Sequence, residues 1–157
     1  ATAPRPPAFG PAWTDPLTAA DIAAAAADPR TADDWRRLGE TLLATGFYPQ
    51  AEAAYRTAAD LAPRNPDAAF DHGFALDRLG RTDPADAAYR QAAALGSPRA
   101  ADAWYYVGRN RLRAGQPDAA ADAFRRADGV PAARHELAKL AYRAGRVDEA
   151  VSAEREL

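Results

Sequence analysis

The chain of 157 residues has no cysteine and no methionine, and it has only two histidines. The absence of cysteine excludes disulfides, thiolate metal ligands, c-type haem attachment and thiol nucleophiles. Two histidines leave little material for a zinc site. The longest apolar run covers only residues 22–27, which is far too short to span a bilayer. The sequence therefore argues against a metalloenzyme and against a membrane-spanning protein.

Large apolar residues are also scarce, whereas alanine occupies 44 of the 157 positions. Side chains that consist of a single methyl group favour close packing of helices over a thick aliphatic core. The charges nearly cancel, with 20 basic and 22 acidic residues, so bulk charge does not indicate a polyanion-binding protein. This composition favours an alanine-rich helical scaffold.

The N-terminal segment differs from the rest, because its first sixteen residues hold five of the thirteen prolines. Proline is excluded from helix interiors, so residues 1–15 are predicted to form an extended, proline-rich arm. Asp15 and Pro16 suit the N-cap and the first position of a helix over 17–27. A chain that begins at Ala1 without methionine, and that has no cysteine, favours an exported protein (periplasmic or extracellular) over a cytoplasmic one.

From residue 32 onward the sequence repeats with a period of 34 or 35 residues. Each unit carries two glycines seven residues apart, then an alanine five residues later, then an aromatic residue after four more. The three units hold Gly39, Gly46, Ala51 and Tyr55; Gly73, Gly80, Ala85 and Tyr89; and Gly108, Gly115, Ala120 and Phe124. A weaker fourth unit carries Gly145 and Ala150. Such a period is typical of stacked helical repeats.

Each unit is predicted to form a hairpin of two helices. In the first unit, apolar residues at helical spacing from Trp35 onward predict a helix that Asp33 or Asp34 caps. Gly46 is expected to end this helix, and a second helix is predicted to run from near Pro49 to residue 62. One hairpin cannot bury its own apolar faces, so the units are expected to stack into a solenoid.

These units resemble the tetratricopeptide repeat, whose pattern is W-x2-L-G, then A-x3-F, then P. The second unit departs from this pattern, with Ala69 for the tryptophan and His72 for the leucine. The residues that match are Trp35-x2-Leu38-Gly39, Ala51-x3-Tyr55 and Pro63 in the first unit, and Trp104-x2-Val107-Gly108 and Ala120-x3-Phe124 in the third.

The resemblance implies an all-α fold, an α-solenoid of stacked antiparallel helical hairpins that winds into a right-handed superhelix. The repeat domain would cover residues 16–157, with repeats at about 32–65, 66–100, 101–130 and 131–157 and an additional N-terminal helix. The fourth repeat would be shorter than the others. The short spacing between the third and fourth units predicts that the second helix of the third unit ends early, at Asp128-Gly129. Arg111 stands where the family usually has a large apolar residue, and Leu112 is expected to take over its packing.

No catalytic constellation is present, so we predict that the protein is not an enzyme and has no cofactor or metal. The segment from His135 to Lys139 is similar to a zinc-protease helix but lacks the second histidine. His72 falls on a packing position and is expected to be a core histidine. Acidic pairs such as Asp33-Asp34 lie at helix starts, where capping explains them.

The resemblance also implies a concave groove lined by the first helix of each hairpin. Residues one, five, eight and nine after the tryptophan position are predicted to point into it. That set contains six cations and two anions, with aromatic residues between them, although the arginines could equally be a solvated helix face with Phe70 and Phe74 packed between units. The candidate groove residues are Arg36, Phe70, Phe74, Arg78, Tyr105, Arg109, Arg113, His135, Lys139, Tyr142 and Arg143, and the two anions are Glu40 and Asp77.

The leading hypothesis is therefore a non-enzymatic scaffold for protein–protein interaction. Its partner would be a peptide or protein with acidic groups and an apolar or aromatic anchor, because arginine binds carboxylates through two hydrogen bonds. The alternative is a structural subunit that self-assembles, or that packs into a larger complex through its ends and its proline-rich arm. Nucleic-acid binding in the groove is a third hypothesis, against which the isoelectric point near 5.7 argues.

Overall fold

The computed structural model describes the backbone of residues 28–155 and the side chains of residues 28–152. The predicted arm (1–15) and the predicted helix over 17–27 lie outside the described residues. Within the described part, eight helices follow one another and no strand occurs. They are α1 (Ala32–Ala44), α2 (Tyr48–Leu61), α3 (Pro66–Arg78), α4 (Thr82–Ala94), α5 (Ala100–Arg113), α6 (Pro117–Arg126), α7 (Pro131–Arg143) and α8 (Val147–Arg155).

The helices pair in sequence order, α1 with α2, α3 with α4, α5 with α6 and α7 with α8, and each pair also packs on the next. The prediction of an all-α solenoid of stacked helical hairpins is therefore confirmed. None of the described helices combines the length and the apolar character that crossing a bilayer requires.

The first helix begins with a capping box, although at a different residue from the one the sequence suggested. The hydroxyl of Thr31 accepts a hydrogen bond from the Asp34 amide at 3.2 Å, and the Asp34 carboxylate accepts one from the Thr31 amide at 2.9 Å. Asp34 thus completes the cap instead of forming it alone. The Thr31 amide and the Thr31 hydroxyl, which lies 2.8 Å from the same carboxylate oxygen, both donate to Asp34. Together with a hydrogen bond from Arg37, they hold the pKa of the Asp34 carboxyl well below its usual range.

The first helix ends at a left-handed glycine, as the sequence predicts. Gly46 has φ 84°. Its amide donates to the carbonyl of Leu43 at 3.1 Å, and the amide of Phe47 donates to the carbonyl of Leu42 at 2.8 Å. This double hydrogen bond is a Schellman motif, which satisfies the last carbonyls of the helix and turns the chain into α2.

Inside each hairpin the repeated aromatic residue lies against the repeated helix glycine. A methyl group on Gly108 would come within 2.4 Å of the Phe124 ring, and one on Gly39 within 2.8 Å of the Tyr55 ring. Tyr55, Tyr89 and Phe124 are all buried. The glycine therefore allows the two helices of a hairpin to approach closely enough to bury a ring between them.

Neighbouring hairpins are also joined by buried polar contacts that the sequence did not reveal. The carboxylate of Glu52 in α2 lies 3.0 Å from Nε2 of His72 in α3, so His72 has a polar partner. In the next pair, Asp86 of α4 accepts a hydrogen bond from the Asn110 amide at 2.8 Å and pairs with the Arg111 guanidinium at 2.5 Å. Arg111 stands where the family usually has a large apolar residue, and the preceding repeat supplies the buried Asp86 carboxylate as its partner.

The third hairpin has a short second helix, as its reduced spacing predicts. Helix α6 has ten residues, compared with 14 in α2 and 13 in α4. Its C-cap is Ala127, and a turn through Gly129 at φ 81° leads into α7.

Candidate binding groove

Two cavities open along the first helices of the hairpins. The larger, which we call the N-terminal cavity, has a volume of about 950 Å³ and is lined by Thr31, Asp33, Asp34, Arg36, Arg37, Glu40, Tyr55, Asp67, Asp71, Pro98 and Arg99. The smaller, which we call the aromatic cavity, has a volume of about 430 Å³ and is lined by Glu40, Leu43, Tyr55, Phe70, Asp71, Phe74, Arg99, Asp102 and Tyr106. Because residues of α1, α3 and α5 line them, we call this side the inner face.

Arg36 lines the N-terminal cavity, but a carboxylate already occupies its hydrogen-bonding side. Its Nε and one terminal nitrogen both lie 2.8 Å from Oδ2 of Asp71. The other carboxylate oxygen of Asp71 accepts a hydrogen bond from Arg99 at 2.8 Å. Asp71 therefore ties α1, α3 and the start of α5 together, and Arg36 serves first as part of this junction.

Arg99 and Asp71 were not among the predicted groove residues. Arg99 is the residue before α5, outside the helical periodicity that selected the candidates. Its guanidinium carbon lies 4.0 Å from the centre of the Phe70 ring, a cation–π contact. Asp71 follows Phe70 directly, so the selected helix positions passed over it. A sequence signal for both is weak, because their contacts cross from one repeat to the next.

The aromatic residues form a connected cluster around Tyr106. Tyr106 was not among the predicted groove residues. The Tyr106 ring lies 5.8 Å from Phe74 and 6.0 Å from Phe70 in edge-on contacts, and it stacks on Tyr89 at 5.2 Å. Phe70 is only 5% exposed, which agrees with the alternative that it packs between units. Phe74 and Tyr105 are half-buried. The cluster thus forms the floor of the inner face.

The predicted cations divide into paired and unpaired groups. Arg113 donates to Asp77 at 2.9 Å, Lys139 to Glu136 at 2.8 Å, and Arg78 to the Tyr48 hydroxyl at 2.7 Å.

Arg109 and Arg143 have no carboxylate within ion-pair distance among the described residues. The Arg109 guanidinium carbon lies 5.9 Å from the Tyr105 ring centre and 5.6 Å from that of Tyr106. Arg143 is exposed near the end of α7, which also carries the exposed His135 and Tyr142.

Carboxylates outnumber guanidinium groups in the linings of both cavities. The N-terminal cavity is lined by five carboxylates and three guanidinium groups. The aromatic cavity is lined by three carboxylates and one guanidinium group. Arg109 on α5 and Arg143 on α7, which have no carboxylate partner among the described residues, line neither cavity. The balance of six cations and two anions predicted for the groove omitted five lining carboxylates, Asp33, Asp34, Asp67, Asp71 and Asp102. Three of them, Asp33, Asp67 and Asp102, recur at the same place in successive repeats.

Stacked helical hairpins whose first helices line an open groove define an α-helical repeat protein. The sequence model of the tetratricopeptide repeat family matches residues 36–83 and 70–134. The chain belongs to the tetratricopeptide repeat family and is a helical scaffold for protein interaction.

Several solved structures share this fold at low sequence identity. MamA is 24% identical, with a TM-score of 0.75 over 87% of this chain and 81% of MamA. The first repeat domain of RPAP3, bound to the HSP90 peptide SRMEEVD, is 22% identical, with a TM-score of 0.66 over 75% of this chain and 96% of that domain. YrrB, described as having an unusual peptide-binding site, is 21% identical, with a TM-score of 0.70 over 87% of this chain and 72% of YrrB. No curated protein sequence matches this chain significantly.

Proposed function

We propose that the protein is a non-enzymatic interaction scaffold whose inner face binds a peptide segment with acidic groups and an apolar anchor. The observation that carries this proposal is the pair of arginines without a carboxylate partner among the described residues, Arg109 on α5 and Arg143 on α7. Each presents a planar guanidinium that can hold a carboxylate through two hydrogen bonds. Arg36 and Arg113 contribute less, because Asp71 and Asp77 already hold them.

Apolar surface for an anchor lies beside these arginines. Tyr142 is 69% exposed on α7. Tyr105 and Leu112 of α5 are half-buried and pack against the core of the third hairpin. Aromatic residues and arginine dominate binding energies at protein interfaces, which favours the α5–α7 part of the inner face as the main contact.

Two proteins of the same fold support the proposal that the ligand is a peptide. The RPAP3 domain binds a peptide that contains three acidic residues, and YrrB is described as having a peptide-binding site. The proposal places the acidic part of the ligand on this chain's own unpaired arginines.

The test is the binding of a labelled synthetic peptide of twelve residues, with one phenylalanine next to a block of glutamates, measured by fluorescence anisotropy. We expect Arg109→Gln/Arg143→Gln to weaken binding by about a hundredfold or more, because each arginine loses a charged hydrogen bond worth about 1.5–3 kcal/mol and the two losses add up. We also expect wild-type binding to weaken as salt rises.

The matched control is Arg64→Gln/Arg90→Gln, which removes the same charge from two exposed arginines that line neither inner-face cavity. It should bind as the wild type does. Equal binding by the two double variants would contradict the proposal, as would the absence of binding to the wild type.

A second candidate function, self-assembly, rests on the last hairpin. Val147 and Val151 of α8 are 52% and 43% exposed, and they stand four residues apart on one side of the helix. We expect light scattering to show a molar mass that rises with concentration for the wild type and the monomer mass for Val147→Ser/Val151→Ser. A wild type that stays monomeric over the whole concentration range would exclude this function.

A further inference from the structure

We infer that the aromatic cavity binds a basic side chain, lysine or arginine, of the same partner segment. This inference rests on the proposed function, because it assigns a second contact on the same inner face. The partner would then carry charges of both signs, with a basic residue over α3 and acidic residues over α5 and α7.

The walls of the cavity suit the stem of a long cationic side chain. Leu43, Phe70, Phe74 and Tyr106 supply apolar surface around a volume of about 430 Å³. The methylene groups of lysine and arginine pack on such surface while the charged end reaches a polar rim. Aromatic rings add a cation–π attraction when the charge lies within about 6 Å of a ring centre.

The charges of the cavity favour a cation. Arg99 is the single cation among the lining residues, and Asp71 and Asp67 already engage it at 2.8 and 3.4 Å. Glu40 and Asp102 are exposed and have no cation within ion-pair distance among the described residues. The lining therefore keeps two carboxylates beyond those that Arg99 engages, next to the apolar walls.

The charges of the adjoining N-terminal cavity also favour a cation. The two cavities adjoin, because they share Glu40, Tyr55, Asp71 and Arg99, and both have more carboxylates than guanidinium groups in their linings. An acidic side chain placed here would face this excess of negative charge. Complementary charge thus orients the partner, with its acidic part towards Arg109 and Arg143 and its basic residue towards α3.

The repeat geometry sets the spacing between the two parts of the partner. Packed helices lie about 8–10 Å apart, so the distance from α3 to the α5–α7 arginines is roughly 10–20 Å. An extended chain advances about 3.3 Å per residue. The basic residue is therefore expected about three to six residues from the acidic block.

The test compares three versions of the labelled acidic peptide, which carry arginine, leucine or glutamate five residues from the glutamate block. Wild-type protein is expected to bind the arginine peptide about tenfold more tightly than the leucine peptide, and the glutamate peptide most weakly. Glu40→Gln/Asp102→Asn should abolish the preference for arginine over leucine. The control Asp60→Asn/Asp118→Asn makes a matched change in charge at exposed residues outside both cavities and should keep the preference. Circular dichroism checks that all variants are folded.

Equal binding of the arginine and leucine peptides to the wild type would overturn the inference and assign the cavity to an apolar side chain. The proposed function would survive that result, because the acidic block would still bind. A preference for arginine that persists in Glu40→Gln/Asp102→Asn would also overturn the inference. If none of the three peptides bound, the proposed function and the inference would both fall.

Discussion

Replacing Arg111 by leucine is expected to lower the free energy of unfolding by about 3–5 kcal/mol, because it leaves one member of a buried ion pair alone. The Asp86 side chain is only 2% exposed, and without Arg111 its carboxylate would keep just the Asn110 amide as a close partner. Urea denaturation followed by circular dichroism measures the change. Leucine is an apolar residue of the kind that the family usually has at this position. The sequence pattern alone would therefore predict an increase in the free energy of unfolding.

The matched control for this prediction is Arg125→Leu. Arg125 pairs with Asp122, and both side chains are exposed, 57% and 72%. Such a surface pair contributes at most about 1 kcal/mol. The double variant Asp86→Leu/Arg111→Leu should recover part of the loss, because no buried charge remains. The ion pair would not have the assigned role if Arg111→Leu were no more destabilising than Arg125→Leu.

Replacing Gly108 by alanine is expected to lower the free energy of unfolding by about 1–3 kcal/mol, even though alanine is the better helix former by about 1 kcal/mol. The added methyl group would meet the Phe124 ring at 2.4 Å, so either the ring or the helix must move. Phe124 is 2% exposed and lies in the core of the third hairpin, where close packing resists such a shift.

The same substitution in the second unit provides the comparison. A methyl group on Gly73 would lie 3.0 Å from the Tyr89 ring, which a displacement of a few tenths of an ångström relieves. Gly73→Ala is therefore expected to change stability by less than about 1 kcal/mol, because the gain in helix propensity offsets the crowding. Thermal unfolding of both variants gives the ranking. A larger loss for Gly73→Ala than for Gly108→Ala would show that ring contact does not set the cost.

Most of the fold could be predicted from the sequence because its determinants are local to each repeat. A glycine such as Gly46 ends the first helix, and a second glycine such as Gly39 lets an aromatic ring of the same hairpin pack against that helix. These signals lie within a single repeat and recur, so their spacing alone gives the number and order of the hairpins. One detail that was wrong, the cap of α1, arose because Thr31 lies before the acidic residues that drew attention. A second, the end of α6, lies at Arg126 and not at Asp128-Gly129.

The candidate groove could be predicted only in part. Helical periodicity selected Arg36, Arg109 and Arg143, and it also selected Phe70, which is almost fully buried. It missed Arg99, which precedes its helix. Periodicity places a residue on a face of its own helix, but it does not give the rotation between neighbouring repeats, which determines whether that face is covered.

The repeated glycines, alanines and aromatic residues were therefore sufficient to establish a tetratricopeptide repeat solenoid, because each hairpin is specified by contacts between residues close in the chain. The tertiary structure was needed to decide which charges remain available. Asp71 engages Arg36 from the preceding repeat, and Asp77 engages Arg113 from the following one. Ion pairs of this kind depend on the register between stacked repeats. In this register Arg109 has no carboxylate partner among the described residues.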